Sequence, residues 1–400
     1  MKKIAIIGQG YVGLNLAMHA SKKSPVVGFD LNYDLVSNLN NGKSHIEGIE
    51  NATIRERITT GNYFASSIEN DISDSEIVVI AVPTPLTISR NPDLSYLQTA
   101  CEIIARNLKH PALIINESTS YPGTLRNFIA KNINSNSKVH NHMYAVSPER
   151  VDPGRIDYDQ KNTPRLYSSL TREGSLATKD FYSSFCDVLV EVSSPEVAEA
   201  AKLFENTFRQ VNIALVNEFA QICHAMKLPV REILDAANTK PYGFMKFNPS
   251  AGVGGHCIPV DPSYLAQAAI EHGINAKFIE LSNKVNLEMG EYIAERVCFD
   301  NGGSLLGKEV QLIGISYKPN VADVRETPAE QIQIALQKKG AKVTWHDPLV
   351  DNWHKTRSSK LGAKIGILVT MHDEFFKSNL QSKFEYLFDT TGRLKGVIQL

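Results

Sequence analysis

Short apolar runs alternate with helical patterns through the first half of the sequence. Adjacent apolar residues in each run are typical of strands that are buried on both faces. Strands that alternate with helices form crossover units and build a parallel sheet. The predicted strands are Ile4–Gly8, Val26–Asp30, Ile77–Pro83, Leu113–Ser118, Met143–Pro148 and Val188–Val192.

A single long helical pattern then runs from Pro195 to Leu228, with apolar residues every three or four positions. Ser194 is a suitable N-cap, and Pro229 marks the end. At ~1.5 Å per residue the helix would span roughly 50 Å. We therefore expect a spine that joins two domains and pairs with a second subunit. Further helices are predicted at Pro262–His272 and Phe278–Val297.

The alternation of strands and helices returns near residue 300, after turn signals at Gly302, Gly303 and Gly307. This pattern predicts an α/β protein with two parallel sheets joined by a long-helix central domain. The predicted domains are residues 1–193, 194–299 and 300–400. The predicted strands of the last domain are Val310–Tyr317, Lys342–Asp347, Ile365–Thr370 and Tyr386–Asp389.

Composition excludes several kinds of protein. The 42 Lys and Arg residues nearly cancel the 43 Asp and Glu residues, so no nucleic acid or membrane partner is expected. No apolar stretch reaches the ~18 residues of a membrane span, and the N-terminal apolar run is too short for a signal peptide. The five scattered cysteines contain no Cys-x-x-Cys pair, which argues against disulfides and favours the cytoplasm.

The first predicted strand leads into the glycine-rich sequence Gly8-Gln9-Gly10-Tyr11-Val12-Gly13. Backbone N–H groups at such a turn can approach a pyrophosphate, which indicates a Rossmann-like dinucleotide site. The second strand ends at Asp30, whose carboxylate can accept both ribose hydroxyls. No Arg follows to neutralise a 2′-phosphate, so NAD is favoured over NADP. Alternatively, Asp30 only caps the next turn.

The least common string in the sequence is Gly252–Pro262, which contains Cys257. Its glycines would allow close approach of a bulky ligand, and a thiol beside a nicotinamide suggests covalent aldehyde chemistry. Alternatively, Cys257 is a small buried apolar residue and Asp261 is a helix N-cap. No second Cys/His cluster accompanies His256, Cys257 and Asp261, so no metal site is predicted, and His256 is expected to pack or hydrogen-bond.

Seven motifs follow one another along the chain: Gly8–Gly13, Val82–Pro85, Glu117–Thr119, Ser147–Arg150, Lys202–Asn206, Gly254–Cys257 and Tyr317–Pro319. In order and approximate spacing they resemble the UDP-glucose/GDP-mannose dehydrogenase family across essentially the full chain. The resemblance implies two NAD-dependent oxidations at C6 of a UDP-sugar, through a thiohemiacetal and a thioester on Cys257.

The resemblance also implies roles for residues that, read alone, are unremarkable. Lys202 and Asn206 lie on one helix face and would otherwise be an ordinary solvated pair; in the family, the matching residues stabilise an oxyanion and hold the sugar. Asp261 and Thr119 would position water, and Glu149 would be the base for thioester hydrolysis. A reactive thiolate needs a cation or a helix N-terminus nearby, for which Lys202 and the helix at Pro262 are candidates.

The remaining candidates bind ligands. Lys318, Arg325 and Arg393 are candidates for binding the nucleotide diphosphate. Lys318 and Arg393 match family positions with this role, whereas Arg325 could equally be held in a local ion pair. The predicted cofactor-binding residues are Gly8, Gly10, Tyr11, Val12, Gly13, Asp30, Thr84, Thr119 and Arg325. The predicted substrate-binding residues are Glu149, Arg150, Lys202, Asn206, Gly254, Lys318 and Arg393. The three domains would thus bind NAD, carry the cysteine loop with a homodimer interface, and bind the UDP-sugar.

The motifs leave the identity of the sugar substrate open. The stretches 117–124 and 147–154 look like bacterial members that act on UDP-N-acetylhexosamines, which favours UDP-N-acetylglucosamine, then UDP-N-acetylmannosamine and UDP-N-acetylgalactosamine. Pro249–Gly252 replaces a Pro-Gly-Pro-Gly common in such relatives and keeps UDP-glucose as an alternative. Arg165–Ser169 stands where many relatives have glycines, so a local difference is expected there.

The expected protein is a cytoplasmic enzyme that supplies precursors of surface polysaccharide. Two other functions compete with this one. The first is a two-electron dehydrogenase on the same scaffold with an idle cysteine. The second is a catalytically silent NAD- or nucleotide-binding regulator.

Overall fold

The computed structural model describes residues 2–46, 48–87, 90–151, 157–255, 257–354, 356–358 and 360–400. The chain forms two compact units, residues 1–205 and 206–400. Each unit has helices packed on a largely parallel sheet, which confirms the predicted fold class. The division into three domains stays a prediction. Within the described residues, no helix is long and apolar enough to cross a membrane.

The first unit is built on a sheet with the strand order β3-β2-β1-β4-β5-β6-β7-β8. All described neighbours are parallel except β6 and β7. The strands are β1 (Ile4–Ile7), β2 (Val26–Phe29), β3 (Tyr63–Ser66), β4 (Ile77–Ile80), β5 (Leu113–Asn116), β6 (Met143–Val146), β7 (Arg165–Ser169) and β8 (Leu189–Glu191).

Helices cover both faces of this sheet. They are α1 (Tyr11–Ala20), α2 (Tyr33–Asn40), α3 (Asn51–Thr59), α4 (Ser95–Asn107), α5 (Lys131–Asn136) and α6 (Arg172–Ser183). A 3₁₀ helix spans Glu69–Ile72, and a π-helix, Leu125–Ala130, leads directly into α5. Two apolar cores result, because residues of β1 and β4 alternate between the face of α4 and the face of α1.

The six strands predicted in this unit are all present, and two more were not predicted. β3 carries an exposed Phe64 between buried residues, and β7 begins with Arg165 and ends with two serines. Neither segment has the continuous apolar run that marked the others. The stretch expected to differ locally is therefore a strand, and it pairs antiparallel with β6.

The long helix α7 (Pro195–Ala225) confirms the prediction of a single helix, although it ends before the predicted Leu228. Ser194 caps it as predicted, since its Oγ accepts a hydrogen bond from the N–H of Val197 at 3.4 Å. The boundary between the two units falls inside this helix, between Glu205 and Asn206.

Glu199 ties α7 to the start of the π-helix. Its carboxylate is buried and accepts the N–H groups of Gly123 at 2.6 Å and Leu125 at 2.9 Å. Burial raises the pKa of Glu199 to about 8 despite these hydrogen bonds. The helix is thus fixed by a side chain that satisfies two otherwise unpaired donors.

The second unit contains a parallel sheet with the order β10-β9-β11-β12-β13. The strands are β9 (Glu309–Ile313), β10 (Lys342–His346), β11 (Ala363–Leu368), β12 (Phe384–Asp389) and β13 (Ile398–Gln399). The helices are α8 (Val230–Ala237), α9 (Asp261–Glu271), α10 (Lys277–Asp300), α11 (Pro328–Lys338) and α12 (Asp373–Phe376), with a 3₁₀ helix at Leu380–Lys383. The order of strand addition reverses at β9, because β10 lies on one side of it and β11 on the other, and parallel sheets bind ligands at such a switch point.

We predict that Glu199→Ala lowers the free energy of unfolding by about 2–4 kcal/mol, because two buried N–H groups lose their acceptor. Glu196→Ala is the control, since Glu196 pairs with Arg126 at the surface and should cost under about 0.5 kcal/mol. Urea titrations followed by circular dichroism measure both values. Equal effects of the two variants would contradict the anchoring role.

Candidate active site

The glycine-rich turn after β1 has two glycines that the protein itself requires. Gly8 has a φ of +91°, and a Cβ there would lie 2.5 Å from the carbonyl oxygen of Ala81. A Cβ on Gly13 would lie 1.8 Å from the carbonyl oxygen of Gly8. Around Gly10, at the N-cap of α1, a Cβ would meet nothing within 4 Å. The open space beside the helix N-terminus fits a pyrophosphate.

Asp30 lies at the end of β2 with its carboxylate fixed by two backbone donors. Oδ2 accepts the N–H of Gln9 at 2.8 Å, and Oδ1 accepts the N–H of Asn32 at 2.9 Å. The turn-capping role is therefore present. The same residue lines a cleft of ≈ 550 Å³ together with Gly8 and Tyr96, where its oxygens could also accept ribose hydroxyls. The glycine-rich turn and the Asp30 carboxylate are therefore suited to bind the pyrophosphate and the ribose of NAD.

Four other predicted cofactor residues follow strands of the first sheet. Tyr11 and Val12 are half-buried in the first turn of α1. Thr84 is buried in the segment that follows β4, and Thr119 is half-buried after β5. All four follow the carboxyl end of a parallel strand, where a bound dinucleotide is expected.

Glu149 follows β6 and is buried among hydrogen-bond donors. Its Oε1 accepts the N–H groups of Arg150 and Val151, both at 2.6 Å. Its Oε2 accepts the Arg165 guanidinium at 2.8 Å and the amide of Gln160. Burial disfavours the charged form, but the guanidinium and the hydrogen bonds outweigh it, so the pKa of Glu149 lies below its ordinary value. Glu149 is therefore a carboxylate at neutral pH.

Two further predicted residues surround Glu149. Lys202 is buried on α7, and its charge is among the causes that lower the pKa of Glu149. Arg150 forms a two-point ion pair with Glu205, at 2.6 and 3.1 Å, and also donates to the carbonyl of Pro164. The first unit thus gathers Glu149, Arg150 and Lys202, with the Arg150 guanidinium already engaged by the protein.

In the second unit, Cys257 is half-buried just before α9, and its carbonyl accepts the N–H of Asp261 at 2.9 Å. The N-cap of α9 is Val260, so the reading of Asp261 as the N-cap is wrong. The fully buried Asp261 carboxylate instead accepts a hydrogen bond from the Asn206 amide. The amide oxygen of Asn206 accepts from Arg209, so its orientation is fixed from both ends.

The glycines of the cysteine loop face Tyr317. A Cβ on Gly254 would lie 2.7 Å from Tyr317 Cβ, and one on Gly255, whose φ is +82°, would lie 2.7 Å from the ring. The N–H of Gly255 donates to the carbonyl of Arg325 at 3.0 Å. These glycines are needed for packing inside the protein as well as for any ligand. His256, expected to pack or hydrogen-bond, lies outside the described residues, as does the 152–154 part of the 147–154 stretch.

The predicted diphosphate residues lie at the carboxyl edge of the second sheet. Lys318 is half-buried after β9, and Arg393 is exposed after β12. Arg325 forms the local ion pair considered in the sequence analysis, with Asp323 oxygens 2.5 to 3.0 Å from its nitrogens. The hydrogen bond to Asp323 raises the pKa of Arg325 most, and Cys257 contributes as well. Arg325 is therefore a cation within electrostatic reach of the thiol.

A buried pair that the sequence analysis missed holds the Lys318 loop. Asp347 accepts the N–H of Ile315 at 2.7 Å and pairs with His372 Nε2 at 3.0 Å. His372 Nδ1 accepts the N–H of Asn320 at 2.9 Å, so the Nε2–H of the ring faces Asp347. Burial opposes ionisation, but His372 and the backbone N–H groups of Leu349 and Ile315 together outweigh it and lower the pKa of Asp347. The only signal in the sequence was an acidic residue at a predicted strand end.

We predict that Asp30→Asn weakens NAD binding about 10- to 100-fold, because ribose hydroxyls lose a charged acceptor worth about 1.5–3 kcal/mol. Asp34→Asn removes a carboxylate from the first turn of α2 and should leave the affinity within about threefold. Titration calorimetry with NAD alone measures both. Unchanged affinity in Asp30→Asn would exclude Asp30 as a ribose ligand.

Sequence comparisons assign the chain to a known family. Models of the UDP-glucose/GDP-mannose dehydrogenase family match three successive parts of it. The NAD binding domain matches residues 2–186, the central domain matches residues 196–288, and the UDP binding domain matches residues 311–395. The order of these matches follows that of the motifs.

Individual relatives extend over nearly the whole chain. A UDP-N-acetyl-D-mannosamine dehydrogenase of Methanococcus maripaludis is 33% identical over 386 residues, which cover 94% of this chain and 87% of the relative. A UDP-N-acetyl-D-glucosamine 6-dehydrogenase of Salmonella typhi is 35% identical over 358 residues, or 87% and 83% of the two chains. The solved UDP-D-ManNAc dehydrogenase of Pyrococcus horikoshii matches with a TM-score of 0.90 at 29% identity, covering 99% of this chain and 98% of that one.

These matches confirm the resemblance stated from the motifs, and with it NAD as the cofactor. The chain therefore belongs to the UDP-glucose/GDP-mannose dehydrogenase family, and it is an NAD-dependent nucleotide-sugar 6-dehydrogenase.

Proposed function

We propose that this enzyme oxidises C6 of a UDP-N-acetylhexosamine to the uronic acid, with Cys257 as a covalent nucleophile. The observation that carries the substrate class is the match to relatives named for two such sugars, at 33% and 35% identity over most of the chain. A uronic acid of this kind suits the synthesis of surface polysaccharide. A thiol nucleophile needs reducing conditions, which supports the cytoplasm as its location.

In the first oxidation the C6 alcohol loses a proton from oxygen and a hydride from carbon. NAD supplies the hydride acceptor in this and the second oxidation. Lys202 and Asn206 are assigned to the oxygen, because an ammonium and a fixed amide donor stabilise developing negative charge. One Nδ2 hydrogen of Asn206 is bound to Asp261, and the other can serve the substrate.

In the second oxidation Cys257 Sγ adds to the aldehyde carbon and forms a thiohemiacetal. Loss of hydride from that carbon gives a thioester, which water cleaves to the carboxylate and the free thiol. Arg325 and the N-terminus of α9 favour the thiolate that this addition needs. Glu149 takes the proton from the attacking water, a role that requires the ionised form its surroundings favour. Thr119 and Asp261 are assigned to positioning that water.

We predict two NADH per UDP-sugar consumed, because each oxidation releases one hydride. Cys257→Ser should lower acid production at least roughly 10³-fold, since the thioester can no longer form. Cys298→Ser changes a half-buried thiol beside the core of the second unit and should leave the rate nearly unchanged. Absorbance of NADH and product mass, measured with a panel of UDP-N-acetylhexosamines and UDP-glucose, give all three results.

The competing functions give different results in the same assay. One NADH with a released aldehyde, or full acid production by Cys257→Ser, would mean a two-electron dehydrogenase with an idle cysteine. Turnover no higher than without enzyme across the whole panel would favour a silent binding protein. Fastest turnover of UDP-glucose would move the substrate away from the acetylated sugars.

We also propose that the enzyme is a homodimer formed through α7. Phe208, Leu215 and Ile222 stand two turns apart on one face of this helix and are 42%, 62% and 47% exposed. Large apolar side chains in line along a helix are typical of an interface, because their exposure to water is unfavourable. A second copy presents the same face, so the pairing is self-complementary.

We predict that Leu215→Asp converts the dimer to a monomer, because a charge would be buried in the interface. Leu176→Asp is the control, since Leu176 is similarly exposed, at 58%, but lies on α6. Multi-angle light scattering over a range of concentrations measures the mass. A wild-type monomer at every concentration would exclude the dimer.

A further inference from the structure

A single buried guanidinium lies between two buried carboxylates in the first unit. Arg165, the first residue of β7, donates from Nη1 to Glu117 at 2.9 Å and from Nη2 to Glu149 at 2.8 Å. The side chains of Arg165, Glu117 and Glu149 are 4%, 0% and 9% exposed. One positive charge is therefore shared by two carboxyl groups, with almost no solvent to screen the interaction.

The two carboxylates are not equally supported. Glu149 accepts two backbone N–H groups and the Gln160 amide in addition to Arg165. Glu117 accepts from Arg165 and from the Tyr182 hydroxyl, both at Oε1, and its buried Oε2 has no hydrogen-bond partner among the described residues. Burial raises the pKa of Glu117 most, the Arg165 guanidinium opposes it, and the charge of Glu149 adds to the rise, so that the pKa is about 7. The difference in donors explains why only one of the pair is readily ionised.

Other titratable groups face the cluster from neighbouring helices. Tyr182 approaches from α6 and Cys186 from the segment that follows it, and burial raises the pKa of both, that of Cys186 to about 11. His19 on α1 has a pKa lowered by burial, and Lys202 on α7 acts on Glu149 as a cation. Burial thus brings the pKa of Glu117 to about 7, close to neutral pH.

We propose that Arg165 is a positioning residue that fixes the Glu149 carboxylate, and that ionisation of Glu117 against the same guanidinium makes Glu149 a stronger base. This inference rests on the proposed role of Glu149 in thioester hydrolysis. When Glu117 is neutral, Arg165 is paired with Glu149 alone. When Glu117 is ionised, it competes for the guanidinium and its negative charge raises the proton affinity of Glu149. Hydrolysis therefore speeds up as Glu117 loses its proton.

The test compares wild type with Glu117→Gln, which keeps the size and the acceptor oxygen of residue 117 but cannot ionise. Rapid quenching after mixing with NAD and the best UDP-sugar of the panel, followed by intact mass, gives the decay rate of the Cys257 acyl adduct. Below the pKa of Glu117, about 7, both proteins should hydrolyse the adduct equally fast. Above it, wild type should be about three- to tenfold faster, because a stronger base accepts the water proton more readily.

Glu199→Gln is the matched control, because it removes another buried carboxyl group with a raised pKa from the same unit. The ratio of the adduct decay rates of Glu199→Gln and wild type should not change with pH. Arg165→Met should accumulate the acyl adduct and lower kcat more than it changes KM, and Arg165→Lys should restore part of the rate. Circular dichroism verifies that each Arg165 variant is folded.

If the ratio of the adduct decay rates of wild type and Glu117→Gln were constant across pH, the inference would be overturned. A purely structural role of Glu117 would change the decay rate by the same factor at every pH. Normal hydrolysis in a folded Arg165→Met would also overturn the inference. In both cases the wild type still forms and hydrolyses the adduct, so the proposed function stands. If the wild type forms neither adduct nor acid, the proposed function fails and this inference fails with it.

Discussion

Parallel strand pairing brings the loops that follow the strands of each sheet to one edge of that sheet. In the first unit, β1, β2, β4, β5 and β6 run the same way, so the segments that follow them emerge side by side. Those segments hold the glycine turn, Asp30, Thr84, Thr119 and Glu149. The second sheet repeats the arrangement with Lys318 after β9 and Arg393 after β12. Apolar strands thus act mainly as supports that bring distant parts of the sequence to a common edge.

Buried polar groups at these edges are held by donors that the backbone provides. Glu149 and Asp347 both accept backbone N–H groups and a side-chain donor, and the pKa of each lies below its ordinary value. Glu199 accepts two N–H groups without a neighbouring cation that outweighs burial, and its pKa is raised. Burial alone therefore does not fix the charge of a carboxyl group. The number of donors and the nearest charges decide it.

The cysteine loop shows how packing can hold the thiol that we propose as the nucleophile. Gly254 and Gly255 lie so close to Tyr317 that no side chain fits, and a backbone hydrogen bond joins Gly255 to Arg325. The thiol is thereby held near a guanidinium and just before a helix N-terminus. A loop fixed in this way needs little rearrangement before reaction, which is the condition for effective electrostatic stabilisation.

The sequence alone was sufficient for the parts of the fold that local pattern encodes. Continuous apolar runs predicted six strands of the first sheet, a period of three to four residues predicted α7, and a glycine turn between strand and helix predicted the dinucleotide site. β3, β7, β13 and α8 were missed, because their short or partly polar sequences carry no such pattern. The roles of the candidate residues remain predictions.

Only the tertiary structure decided which polar groups meet. Arg165 contacts Glu117 from 48 positions away and Glu149 from 16, and Tyr182 reaches Glu117 across 65 positions. Although Glu117 and Arg165 both stood in segments noted from the sequence, nothing local to either indicated a shared ion pair. Hydrogen bonding and burial depend on three-dimensional neighbours, and a neighbouring charge in a buried site shifts a pKa that the sequence leaves at its ordinary value.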